Sequence, residues 1–207
     1  MTETADILQR LKQRFGIRCT LININGSTSE FVNYPPHQIT FCKAVKLSVN
    51  VPVRVDKTNL DCVGIRYLLR MDDDIENVAG AIASAGNRSL TDAVSLVKTL
   101  PRLKHVRHIN LGLTEEMLDD MKPDFFMAYV SVAKATEIFG PLPHADVSFE
   151  SSTETVLPFC GRIFSSGLTN NEVVVSFGSQ KSREIGGLNG DEVLVGMPFQ
   201  KALSFIV

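Results

Sequence analysis

Two small nucleophilic side chains each stand four residues before an arginine, Cys62 before Arg66 and Ser179 before Arg183. A Phe-Cys pair precedes each: Phe41-Cys42 sets Cys42 20 residues before Cys62, and Phe159-Cys160 sets Cys160 19 residues before Ser179. A one-residue gap therefore aligns two half-motifs, which reads as a degenerate internal duplication. Three chemistries suit these residues. Cys42, Cys62 and Cys160 are soft ligands for a metal or an iron–sulfur cofactor. Arg66 and Arg183, with the turn groups of Gly64, Gly178, Ser179 and Ser182, can bind a carboxylate or phosphate, because guanidinium contacts to such groups are strong and directional. Cys62 or Cys42 can also act as a nucleophile, which requires a base. The histidines His37, His105, His108 and His144 all fall outside the half-motifs. Against these stands a purely structural reading, in which Gly64 and Gly178 permit tight turns while the arginines cap carbonyls. No CxxC or His-x-x-Cys spacing points to zinc.

The elements that must position these residues follow from periodicity and punctuation. Val173-Val174-Val175 is a β-branched run that stops at Phe177-Gly178, so the segment to Gly187 reads as a strand ending in a polar turn. Thr40 can cap a helix carrying Phe41, Ala44, Val45 and Leu47, which sets Cys42 near a helix N-terminus where the dipole favours thiolate. The plainer reading of a single such cysteine is a buried, inert core residue. Val51 to Val55 predicts a strand, and Cys62 opens a helical segment with Ile65, Leu68 and Leu69.

Elsewhere, Ala5 to Phe15 predicts an amphipathic helix ended by Gly16, and Cys19 falls on the apolar phase of the strand that follows. Asp72, Asp73, Asp74 and Glu76 lack calcium-loop spacing and suit a helix N-terminus. Two short helices are expected between Val78 and Lys104, parted near Gly86-Asn87. Arg107 to Leu111 predicts a strand and Thr114 to Met121 a short capped helix. Asp124 to Val132 predicts a buried strand followed by the helix of a βα unit, which makes Ser131 and Lys134 second-rank candidates at its C-terminal end. Pro141-Leu142-Pro143-His144 breaks the chain before a strand at Val147 to Phe149. A helix is expected from Thr153 to Phe164, a hairpin at Asn189-Gly190, a strand at Val193 to Val195 and a terminal helix from Pro198.

With 207 residues and 44% hydrophobic content, the chain suits one compact domain with a substantial core. A net charge of −2 gives no overall field for nucleic acid or an anionic membrane. The cluster Lys98, Arg102, Lys104 and Arg107 has no interleaved aromatic and reads as a solvated helix end. Four scattered cysteines do not make a disulfide scaffold. With no secretory signal pattern and no apolar run of membrane-spanning length, the expectation is a cytoplasmic protein.

The blocks Phe41-Cys42-x-Ala44-Val45, Cys62-x-Gly64-x-Arg66-Tyr67, Lys122-Pro123-Asp124 and Ser176-x-Gly178-x-x-x-Ser182-Arg183-x-x-x-Gly187-Leu188-x-x-Asp191-Glu192-Val193-x-Val195-Gly196-x-Pro198 resemble the domain-of-unknown-function 169 family of archaeal and bacterial proteins. The likeness runs from about Phe15 to Ala202. The family has no established activity to carry over. Its members commonly have cysteine where this chain has Ser179 and glycine where it has Lys181. The resemblance thus implies a site of two cysteine pairs, reduced here to Cys42, Cys62, Cys160 and a hydroxyl.

The expected architecture is an α/β fold of two pseudo-repeated α/β halves, about 15–71 and 122–198, with a helical insertion at about 72–121. The expected function is binding of an anionic small molecule or a metal-containing cofactor in a cleft between the halves.

Overall fold

The computed structural model describes residues 3–27, 30–84, 88–142, 146–150 and 159–206. Strands β1 (Cys19–Ile24), β2 (Val32–Asn33), β3 (Val53–Asp56), β4 (His108–Leu111), β5 (Phe125–Ser131), β6 (Val147–Glu150), β7 (Val173–Ser176) and β8 (Glu192–Pro198) form one mixed sheet. Its order is β2-β3-β4-β1-β5-β8-β7-β6. The outermost pairs, β2 with β3 and β6 with β7, are parallel, and every junction between them is antiparallel. From either edge the pairing thus runs parallel, antiparallel, antiparallel, to the central β1–β5 junction.

Alternation along β5 shows why both faces are covered. Phe125, Met127 and Tyr129 belong to one core, and Phe126, Ala128 and Val130 to the other. The first core is closed by α2 (Phe41–Ser48), α3 (Val63–Leu68), α4 (Ile75–Ser84), α5 (Leu90–Thr99) and α7 (Phe159–Asn170). The second is closed by α1 (Glu3–Phe15), a 3-10 helix (Glu116–Asp119), α6 (Val132–Phe139) and α9 (Phe199–Leu203). A further short helix, α8 (Gln180–Gly186), packs against α2. Among the described residues, no helix is long and apolar enough to cross a membrane.

Several expectations change. The polar segment after β7 is not an open turn, because Ser179 caps α8 and Gly187, at φ +70°, ends it. Asn189-Gly190 accordingly links a helix to a strand rather than two strands. β5 and α6 do not make a parallel βα unit, since β5 is antiparallel to both its neighbours, β1 and β8. α7 starts at Phe159 and reaches Asn170, beyond the expected end at Phe164. The expected start of that helix at Thr153, the break at Pro143-His144 and the Gly86-Asn87 junction lie outside the described residues. The stretch 72–121 supplies α4 and α5, and also β4, which lies inside the sheet between β3 and β1.

Candidate functional site

Cys62 and Ser179 occupy the same local position. Each is the extended residue just before a short helix, Cys62 before α3 (φ −153°, ψ 95°) and Ser179 before α8 (φ −74°, ψ 160°). Four residues on, the backbone N–H of Arg66 donates to Cys62 O at 3.0 Å and that of Arg183 to Ser179 O at 2.9 Å. Both guanidinium groups then fold back to the carbonyl two residues before the cap. Arg66 Nη1 reaches Leu60 O at 3.3 Å, and Arg183 Nη1 reaches Phe177 O at 2.7 Å. The caps differ in chemistry. Ser179 Oγ accepts from Ser182 N at 3.3 Å and donates to Ser182 Oγ at 2.9 Å, whereas Cys62 makes no side-chain cap bond. Gly178 has φ +66° and suits glycine, but Gly64 sits inside helix α3 and makes no turn.

The arginines are occupied by backbone. Arg183 donates to four carbonyls: Phe177, Glu192 at 3.0 Å, Gly190 at 3.2 Å and Asn189. Its fork therefore ties the α8–β8 turn to the end of β7. Arg66 bonds Leu60 O, lies 3.4 Å from His37 Nδ1 and stands 4.0 Å from an Asp72 carboxylate oxygen. The Arg183 fork, spent on four carbonyls, has little capacity left for a ligand anion, whereas Arg66 Nε is buried without a hydrogen-bond partner.

The cysteines do come together. Cys42 and Cys160 are each the second residue of a helix, α2 and α7, and both are buried. Their thiols are near enough for each to bear on the other's protonation. The Phe41 backbone N–H favours the Cys62 thiolate while Cys42 disfavours it, and Cys62 in turn disfavours the Cys160 thiolate. Close helix packing explains the convergence. A Cβ on Gly161 of α7 would lie 1.7 Å from Ile65 Cδ1 of α3, so only glycine permits the approach. Phe164 clamps the same region, with its ring 5.8 Å from Phe41 and 5.0 Å, edge-on, from Phe125. The Ser179 corner abuts the start of α7, where a Cβ on Gly178 would sit 3.5 Å from the Phe159 ring.

Burial dominates the acid–base chemistry here. It pushes the Cys62 thiol up to about 12, against the weaker opposing pull of the Phe41 N–H. Burial, followed by the nearness of Cys42, pushes the Cys160 thiol well up too. Both are neutral at physiological pH, the reverse of an activated nucleophile. Among the described residues, no group of three or more His, Cys, Asp or Glu side chains is placed so that it could hold a metal ion.

The second-rank candidates have local structural roles. Ser131 Oγ accepts from Lys134 N at 3.2 Å as the cap of α6, and Lys134 Nζ pairs with Glu137 at 2.9 Å. In the basic cluster, the Arg102 guanidinium lies 3.9 Å over the Tyr67 ring and donates to Tyr67 O and Asp72 O. Sequence reasoning missed Tyr129. Its hydroxyl donates to Gly186 O at 2.8 Å, and burial first, then Cys160 and Cys42, push its phenol up. It also missed the Gly26 carbonyl, which accepts from His108 Nε2 at 2.7 Å, Asn110 Nδ2 at 2.8 Å and Arg54 Nη2 at 3.4 Å. The available signal was a polar residue, Asn110, on a buried strand position.

The fold and site define a mixed α/β protein with two buried thiols, Cys42 and Cys160, and a half-buried third, Cys62, at neighbouring helix starts. Residues 21–206 match the DUF169 family, described as uncharacterised ArCR, and the chain belongs to that family. No curated protein and no solved structure matches it.

Proposed function

We propose that this chain binds a thiophilic metal centre, a soft ion or an iron–sulfur type cofactor, between two pseudo-repeated halves. Cys42, Cys62 and Cys160 are the thiolate donors, with Ser179 at the fourth corner. One observation carries the reading. Thiols 118 residues apart in sequence, Cys42 and Cys160, lie near enough to perturb each other's protonation, and Cys62 acts on both. The mirrored strand pairing about β1–β5 and the matching Cys62–Arg66 and Ser179–Arg183 corners support descent from a duplication.

The donor set is soft, so it favours a thiophilic metal over calcium or magnesium. The starts of α2 and α7 present partial positive charge to an anionic metal–thiolate centre. Binding requires Cys62 to turn toward the pair, and without a side-chain cap bond it gives up only the contact from Phe41 N–H. Arg183, engaged with four carbonyls, lends the anion-binding alternative no support. A reduced thiol trio fits a cytoplasmic setting.

The test is anaerobic purification with metal analysis and absorbance, followed by titration of metal-free protein with Co²⁺ and Cd²⁺. Thiolate charge-transfer bands that fade in Cys42→Ala, Cys62→Ala and Cys160→Ala are expected. Absence of such bands in the parent protein, or bands indifferent to all three substitutions, defeats the reading.

A further inference from the structure

A cavity lies at the end of α2 opposite Cys42. Cys42 and Ser48 are six residues apart, about 9 Å along the helix axis. Its origin is a strand that stops early. The β1–β4 register sets Ile22 against Leu111 and Asn23 against Asn110, so its continuation sets Cys19 against Thr114. Instead Gly112, at φ +81°, turns the chain away after its N–H and that of Leu113 both bond Leu21 O. Peptide groups alternate sides along a strand, so those of Cys19 point the same way as those of Leu21, into the gap β4 leaves.

The gap is a cavity of about 230 Å³ with Cys19, Thr20 and Ser48 in its lining. All three are more than nine-tenths buried. Ser48 Oγ lies 2.9 Å from Thr20 Oγ1 and 2.8 Å from Val45 O. With its one proton on the carbonyl, Ser48 accepts from Thr20, and Thr20 Oγ1 retains acceptor capacity. The lining also includes Lys12 from α1 and Glu115 and Glu116 at the start of the 3-10 helix. Lys12 is near enough to act electrostatically on the Cys19 thiol.

The geometry points to a binding site for a free α-amino acid: a zwitterion whose carboxylate meets Lys12, whose ammonium meets Glu115 or Glu116, and whose backbone atoms meet the strand edge at Cys19 and the Thr20 hydroxyl. The cavity is below the roughly 300 Å³ at which drug-sized pockets begin, as suits so small a ligand. This assignment is independent of the thiol site.

Calorimetric titration of the full chain with the standard L-amino acids, each at up to millimolar concentration, tests it. At least one amino acid is expected to bind, with its N-acetyl and carboxamide forms binding at least about tenfold more weakly, since each lacks one charge. Lys12→Gln and Glu115→Gln, both on the surface, are expected to weaken binding roughly two- to fivefold each, the scale of an exposed ion pair. No binding by any amino acid, equal binding of the blocked forms, or indifference to both substitutions overturns the assignment.

Discussion

Arg66 and Arg183 make the same bond: each guanidinium returns to the carbonyl six residues behind it, Leu60 O at 3.3 Å and Phe177 O at 2.7 Å. A shared i to i−6 contact, launched from a shared capping position, makes the two corners equivalent in geometry as well as in sequence. It also shows what the arginines do, which is to hold the turns that present Cys62 and Ser179.

Arg183→Ala is therefore expected to act on stability. It strands four carbonyl acceptors, whereas Arg66→Ala strands one carbonyl and loosens Asp72. A loss of about 1–3 kcal/mol is expected for Arg183→Ala and less for Arg66→Ala. Urea unfolding reads both, and equal midpoints for Arg183→Ala and the parent protein count against this role.

Gly161→Ala tests the α3–α7 approach. Helix propensity alone would gain about 1 kcal/mol, but the new methyl meets buried Ile65 Cδ1 at 1.7 Å. Overpacking of about 1–3 kcal/mol is expected to win. Ile65→Val removes the clashing carbon, so the double variant should recover part of the loss. A double-mutant cycle with no coupling contradicts the packing argument.

Alkaline pH should destabilise the protein through its thiols. Cys62 rises from 9.0 to about 12 on folding, so the folded state holds its proton more tightly than the unfolded chain. The associated stability is intact below pH 9.0 and is lost as pH climbs toward about 12, and Cys160 adds a contribution of the same sign. Unfolding midpoints should fall as pH enters that window, with a shallower slope in Cys62→Ala. A parallel fall in both proteins contradicts the burial of this thiol.

Ser179→Cys restores a fourth sulfur at the equivalent corner. Cobalt or cadmium affinity should rise, by about tenfold or more if the fourth donor reaches the ion. The Ser179 Oγ bond to Ser182 N is lost, so metal-free stability should drop by about 0.5–2 kcal/mol. Stability loss without any gain in metal affinity would show that position 179 faces away from the centre.

What could be read from the sequence was local. Thr40 before the apolar face of Phe41, Ala44 and Val45 marked α2, and its Oγ1 does accept from Lys43 N at 3.3 Å. The spacing of Cys62 to Arg66 and Ser179 to Arg183 fixed two like corners, because a cap and the residue four on are one helical turn apart. The family likeness was legible too, since it rests on such short blocks. Local spacing cannot say which strands are neighbours. β4 carries only four residues, yet it inserts between β3 and β1, and β5 pairs antiparallel on both sides despite a pattern that suits a parallel strand. Nor could spacing give the fate of the guanidinium groups: the four carbonyls around Arg183 converge only once the α8–β8 turn has formed. The nearness of Cys42 and Cys160 is the clearest case of what tertiary structure alone decided. It depends on glycine at position 161 letting α7 close on α3, and on the packing of α2 against α7 across one face of the sheet.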